Sequence, residues 1–120
     1  MSKLDEFQDA ASLAFAFLSD QYGFTCDGPN TQAAESYLSY GRPDLVVTVN
    51  YELGDEPWVT LAFPDRGQRT SLNTLARDAG VVLEDRKGAT LREQVFRNAA
   101  LLRLLLETQA PSTRNAPRRA

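Results

Sequence analysis

The stretch Leu45-Val46-Val47-Thr48-Val49-Asn50-Tyr51-Glu52-Leu53 decides the fold. Leu45, Val47, Val49, Tyr51 and Leu53 alternate with Val46, Thr48, Asn50 and Glu52, so one side of the run is apolar and the other mostly polar. A period of two is the pattern of a half-buried antiparallel strand, because successive side chains of a strand point to opposite faces of its sheet.

The segments on either side supply its neighbours. Residues 33–40 and Trp58–Phe63 predict strands, joined to the first by a turn at Gly41-Arg42-Pro43-Asp44 and another at residues 54–57. With a four-residue connection from Tyr40 to Leu45, the side chains of Ala34, Ser36, Leu38 and Tyr40 share a face with Leu45, Val47 and Val49. With a three-residue loop at 55–57, Val59, Leu61 and Phe63 lie opposite Leu53, Tyr51 and Val49. Every large aliphatic group except Val46 then falls on one face, which leaves an antiparallel meander with that face to cover.

Helices at the two ends are the covers. Residues 2–22 predict one helix, with Ser2 as its cap, Asp5 in the first turn, and Leu4, Phe7, Ala11, Ala14, Phe15 and Leu18 at helical spacing before Gly23 stops it. Residues 24–26 predict a short strand, and residues 27–32, with Gly28, Pro29 and Asn30, a loop. Residues 64–70 form a polar connector, after which Ser71 opens a short helix ending at Gly80. Residues 81–83 predict an edge strand or packed loop, and residues 85–88 a turn. Thr90 and Glu93 make a capping box for a last helix carrying Leu91, Val95, Ala99, Leu102, Leu105 and Leu106, widened by Phe96, Leu101 and Leu104. The expectation is one α+β domain over residues 1–107: an antiparallel three- to five-stranded meander with N-terminal and C-terminal helices packed on one face. Residues 108–120 have two prolines, three arginines and no apolar spacing, and predict a disordered basic tail.

Composition removes several kinds of chemistry. The chain has no histidine and a single cysteine, Cys26. Ser-His-Asp and Cys-His mechanisms need an imidazole, and one thiolate cannot supply a zinc site of Cys and His ligands. No recognisable catalytic motif replaces them, so no enzymatic activity, cofactor or metal is expected. No apolar stretch approaches the length of a membrane span, and acids at positions 5, 6 and 9 break the order of a signal peptide. A cytoplasmic location is the expectation.

The net charge of −3 is unevenly spread. Residues 1–60 hold ten acids against two bases, a balance of −8, and residues 61–120 hold six acids against eleven bases, a balance of +5. An acidic face toward a basic partner is one consequence; a mixed, merely solvated surface is the other.

Five features compete for function. By parity Trp58 and Tyr37 point away from the apolar face, among Thr48, Asn50, Glu52 and Thr60, as anchors of a recognition surface; the plainer reading packs Trp58 under the 64–70 connector or at the sheet edge. Glu52, Asp55 and Glu56 gather at one hairpin end, where they suit a basic partner, or are simply a solvated tip without the spacing of a calcium loop. Arg66, Arg69 and Ser71 precede a helix start and suit an anion, without the glycine and lysine spacing of a Walker loop. Arg114, Arg118 and Arg119 have no interleaved aromatic to stack on bases, so nucleic acid is not an expected partner. The last helix is buried in its own chain or pairs with a second copy as a homodimer.

The order of elements, with "FLSDQYGF", "YLSYGRPDLVVTVNYE", "WVTLAF" and "SLNTLARDAGV" before a leucine-rich helix, resembles small uncharacterised bacterial proteins, some of which resemble the immunity proteins that neutralise toxin domains. The resemblance covers roughly residues 10–107 and carries no invariant functional motif. It implies a binding protein whose partner is another protein, and the acidic first half would suit a basic toxin domain such as a nuclease.

Overall fold

The computed structural model describes residues 2–81 and 89–119, with side chains described to residue 108. The chain folds as an antiparallel five-stranded sheet with helices on one face, an α+β architecture. The strands β1 (Thr25–Gln32), β2 (Glu35–Arg42), β3 (Leu45–Glu52), β4 (Trp58–Phe63) and β5 (Gln68–Ser71) lie side by side in chain order. The helices are α1 (Lys3–Ala14), α2 (Ala16–Tyr22), α3 (Leu72–Asp78) and α4 (Leu91–Arg119).

The alternation in β3 survives folding. Leu45, Val47, Val49 and Tyr51 are buried while Val46, Thr48, Asn50 and Glu52 are half-exposed. On the buried face Leu38, Val47, Val49, Val59 and Leu61 meet Phe7, Ala10, Ala11, Phe15 and Leu18 from the N-terminal helices and Val95, Ala99, Leu102 and Leu105 from α4. The Phe7 ring stacks on Tyr51 at 5.4 Å between centroids. Among these apolar groups Ser36 is also buried, and it is satisfied: Gln8 on α1 donates its side-chain amide to the Ser36 hydroxyl at 3.0 Å and to Thr31. That polar link pins the β1–β2 hairpin beneath α1, since a buried hydroxyl without a partner would cost about 1–3 kcal/mol.

Four local expectations are corrected. The N-terminal segment is two helices rather than one, broken at Phe15 (φ −101°, ψ 6°). The break turns α2 so that Phe17 and Leu18 bury together, with the Phe15 ring packed on Tyr40 at 6.3 Å. The capping box of Ser2 and Asp5 and the left-handed Gly23 cap are as the sequence reads.

Residues 27–32 are not a loop but most of β1, whose pairing with β2 skips between Asp27 and Asn30. Gly28, Pro29 and Asn30 form an irregularity inside a strand. Gly28 has φ 115°, and a Cβ there would sit 3.2 Å from the Tyr37 carbonyl oxygen. A proline is tolerated because β1 is an edge strand whose outer N–H groups need no ladder partner.

Both central hairpins differ from the expected register by an even number of residues. The β2–β3 turn is the two residues Pro43 and Asp44, so Tyr40 faces Val47 rather than Leu45. Arg42 stays in its strand and holds the turn: its guanidinium donates to Asp44 at 2.8 and 3.1 Å and to the Tyr22 carbonyl at 3.0 Å, and lies 4.5 Å from the centre of the Phe24 ring. The β3–β4 connection is longer than three residues. Val59 faces Val49, not Leu53, and Leu53 is 46% exposed. Pro57 is buried, and its carbonyl accepts the Asn98 amide of α4 at 3.3 Å, which draws the connection toward the helix layer. Even shifts leave every side chain on its original face.

The 64–70 connector contains a short 3₁₀ turn, Pro64–Arg66, and then β5, which pairs with β4 from Phe63↔Gln68 to Thr60↔Ser71. Thr90 and Glu93 cap α4 reciprocally, at 2.8 and 3.1 Å. The strand or loop expected at 81–83 and the turn at 85–88 fall wholly or largely outside the described residues, while the backbone of residues 108–119, expected as a disordered tail, continues α4.

Candidate functional site: the outer sheet face

The helices pack on the inner face alone, which leaves the outer face of a five-stranded sheet without a covering layer among the described residues. Pairing arranges it in cross-strand rows. One row runs Asn30, Tyr37, Asn50, Trp58 across β1 to β4. Strands spaced by about 4.8 Å set Tyr37 and Trp58 roughly 10 Å apart at the backbone, with Asn50 between them.

Tyr37 is 40% and Trp58 39% exposed. Trp58 lies at the start of β4, beyond the last pair with β5, and the 64–70 segment does not bury it. Asn50 is fixed in place: its amide donates to its own strand at Thr48 O (3.0 Å) and across to Trp58 O (3.4 Å). A short, anchored amide between two half-exposed rings makes a flat floor with aromatic walls. Such rings contribute large contact area for little rotamer entropy, which is why they anchor interfaces.

The next row is acidic. Glu35 stands directly opposite Glu52, and Gln32 faces Glu35 from β1. Asp55 and Glu56 follow in the exposed turn, where Asp55 N–H donates to Glu52 O at 3.0 Å and Gly54 takes φ 92°. Leu53 N–H donates to Ala34 O at 2.9 Å, closing this acidic end of the sheet onto the β1–β2 turn. The structure thus brings Trp58, Tyr37 and Glu52 onto one face, with Asp55 and Glu56 at its rim. Asn30 and Glu35 join them although the sequence reading singled out neither. For Glu35 the signal lies in the turn: two residues at Pro43-Asp44 set it opposite Glu52 by counting.

Arg66 and Arg69 come together in the lining of one recess, whereas Ser71 is not part of that lining. The recess, of about 450 Å³, lies between β5 and α3, lined in part by Phe63, Arg66, Gln68, Arg69 and Asp78. Arg66 stacks over Phe63 at 4.9 Å. The Ser71 hydroxyl is used within α3, accepting from Thr74 N–H at 3.1 Å and bonding the Thr74 hydroxyl at 2.9 Å.

On α4, Leu91, Val95, Ala99, Leu102 and Leu105 are buried within the chain, while Phe96 and Leu104 are 38% and 48% exposed. No group of three or more metal-ligating side chains occurs among the described residues, and no described helix is long and apolar enough to cross a membrane. No protein-family model matches the chain, and no curated protein or solved structure is significantly similar to it.

Proposed function

We propose that this protein is a non-catalytic protein-binding module of the immunity type, which engages a basic protein, such as a toxin domain, through its outer sheet face. One observation carries the reading: an uncovered face with Tyr37 and Trp58 half-exposed on either side of an anchored Asn50. Desolvating two aromatic rings supplies affinity. The acids Glu52, Asp55 and Glu56 at the end of that face supply orientation and speed of encounter with a basic partner. A rigid five-stranded floor suits recognition because little order has to be gained on binding.

The experiment is co-expression and co-purification of the full chain with the products of its flanking genes. A basic product that forms a stable complex, loses affinity at least tenfold against Trp58→Ala or Tyr37→Ala, and is neutralised only by the unmutated chain supports the reading. Equal binding by both variants removes the outer face from the mechanism, and a flanking set with no binding product removes the immunity role.

A further inference from the structure

We propose that the outer face receives an arginine side chain of its protein partner, seated between the Glu35 and Glu52 carboxylates and against the Tyr37 ring. The inference rests on the outer face being the binding surface, and it names the chemical group that the face takes.

Glu35 and Glu52 are directly opposed in the β2–β3 register. Like charges in that position destabilise a sheet. Among the described residues no cation lies within ion-pair distance of either one. The first sixty residues contain two bases, and both are committed elsewhere: Lys3 lies 3.6 Å from Glu6, and Arg42 holds Asp44 and the Tyr22 carbonyl. Among the described residues the unfavourable pair therefore has no counter-charge, on a face that no described layer covers, in the more acidic half of the chain.

The adjoining row selects the kind of cation. Tyr37 is two residues from Glu35 on the same strand and face, and its ring is 40% exposed. A guanidinium is planar, stacks on an aromatic face and bonds a carboxylate through two parallel N–H groups, whereas an ammonium is a compact, strongly hydrated point charge. Carboxylate and ring side by side therefore favour arginine over lysine. The chain repeats this combination within itself, where Arg42 lies over the Phe24 ring while bonding Asp44. The same acids repel the phosphates of a nucleic acid, which disfavours that partner on this face.

The test titrates the full chain with the capped peptide Gly-Arg-Gly-Arg-Gly and with its counterpart carrying neutral citrulline in place of arginine. Amide NMR and the fluorescence of Trp58, the chain's one tryptophan, are the readouts. The arginine peptide is expected to move the amides of Glu35, Tyr37, Asn50 and Glu52 together with the Trp58 indole, and the citrulline peptide to bind roughly fivefold more weakly. The double variant Glu35→Gln/Glu52→Gln is expected to lose the same roughly fivefold affinity while its Tm rises by about 2 °C, because the opposed charges are gone. A rise in Tm shows that the variant remains folded. Equal binding of the two peptides, or undiminished binding by the double variant, overturns the arginine seat yet leaves the surface reading standing so long as the Trp58 indole moves. No detectable binding of the arginine peptide overturns the seat. A shift map centred elsewhere, with the indole unmoved, overturns both.

Discussion

Asn98 on α4 donates its side-chain amide to the carbonyl of Pro57 at 3.3 Å, and both residues are buried. The bond joins the helix layer to the residue immediately before Trp58, so it sets where the outer-face aromatic leaves the core. Asn98→Ala strands the Pro57 carbonyl and is expected to cost about 1–3 kcal/mol in urea unfolding. It is also expected to increase the mobility of Trp58, read as a fall in fluorescence anisotropy. A loss of stability with an unchanged Trp58 signal would show that the bond supports the core and not the site.

The two faces of the sheet carry different energies. Leu38 is 1% exposed and faces Val49 across the β2–β3 ladder, within the layer covered by α1. Leu38→Ala leaves a cavity in that layer and is expected to cost about 2–5 kcal/mol. Thr48, one residue from Val49 but half-exposed on the outer face, is expected to change stability by less than about 0.5 kcal/mol on replacement by alanine. Paired denaturation curves check this. Comparable losses at both positions would mean that something covers the outer face in solution.

The sequence made the division into faces legible, but not the distances along them. Alternation in Leu45–Glu52 alone separates core from exterior, since a side chain's face depends only on whether its position is odd or even. That is why parity places Tyr37 and Trp58 on the exterior whichever of the expected and observed hairpin lengths is taken. Register depends on which turn residues leave the ladder, and here that was decided by tertiary contacts invisible to local pattern: Arg42 clamping Asp44, and Asn98 reaching Pro57 from a helix forty-one positions away. Gly28-Pro29-Asn30 reads as a loop in the sequence because its turn chemistry is used for an irregularity inside an edge strand. The break at Phe15 has no glycine or proline to announce it; only the demand to bury Phe15, Phe17 and Leu18 together explains it.

Asp55 and Glu56 are exposed at the rim of the candidate site, so their contribution to a complex should lie in encounter and not in packing. Asp55→Lys/Glu56→Lys changes the charge of that rim by four and is expected to leave the Tm within about 2 °C of the unmutated chain. Its association rate with a basic partner should fall on the order of tenfold at low salt and much less at high salt, where screening acts over shorter distances. Stopped-flow association at two ionic strengths checks this. An unchanged on-rate at low salt would remove steering by the acidic turn.

Tyr40 is 2% exposed, and burial, followed by the neighbouring Cys26 thiol across the β1–β2 ladder, holds its phenol well above the usual tyrosine range. The sign of the pH dependence follows from a folded-state value above the unfolded one. Below about pH 10 the phenol is neutral in both states and its contribution to stability is fully present. As pH rises beyond that point the unfolded chain releases the proton while the folded chain keeps it, so the folded state binds more protons and stability declines toward the folded pKa. The urea midpoint of the unmutated chain is therefore expected to drop as pH rises from about pH 10 to about pH 12. In Tyr40→Phe, which keeps the ring packed on Phe15 and has no proton to lose, the drop should be smaller. An equal decline in both proteins would place the alkaline sensitivity on other groups and would mean that Tyr40 ionises without unfolding the chain.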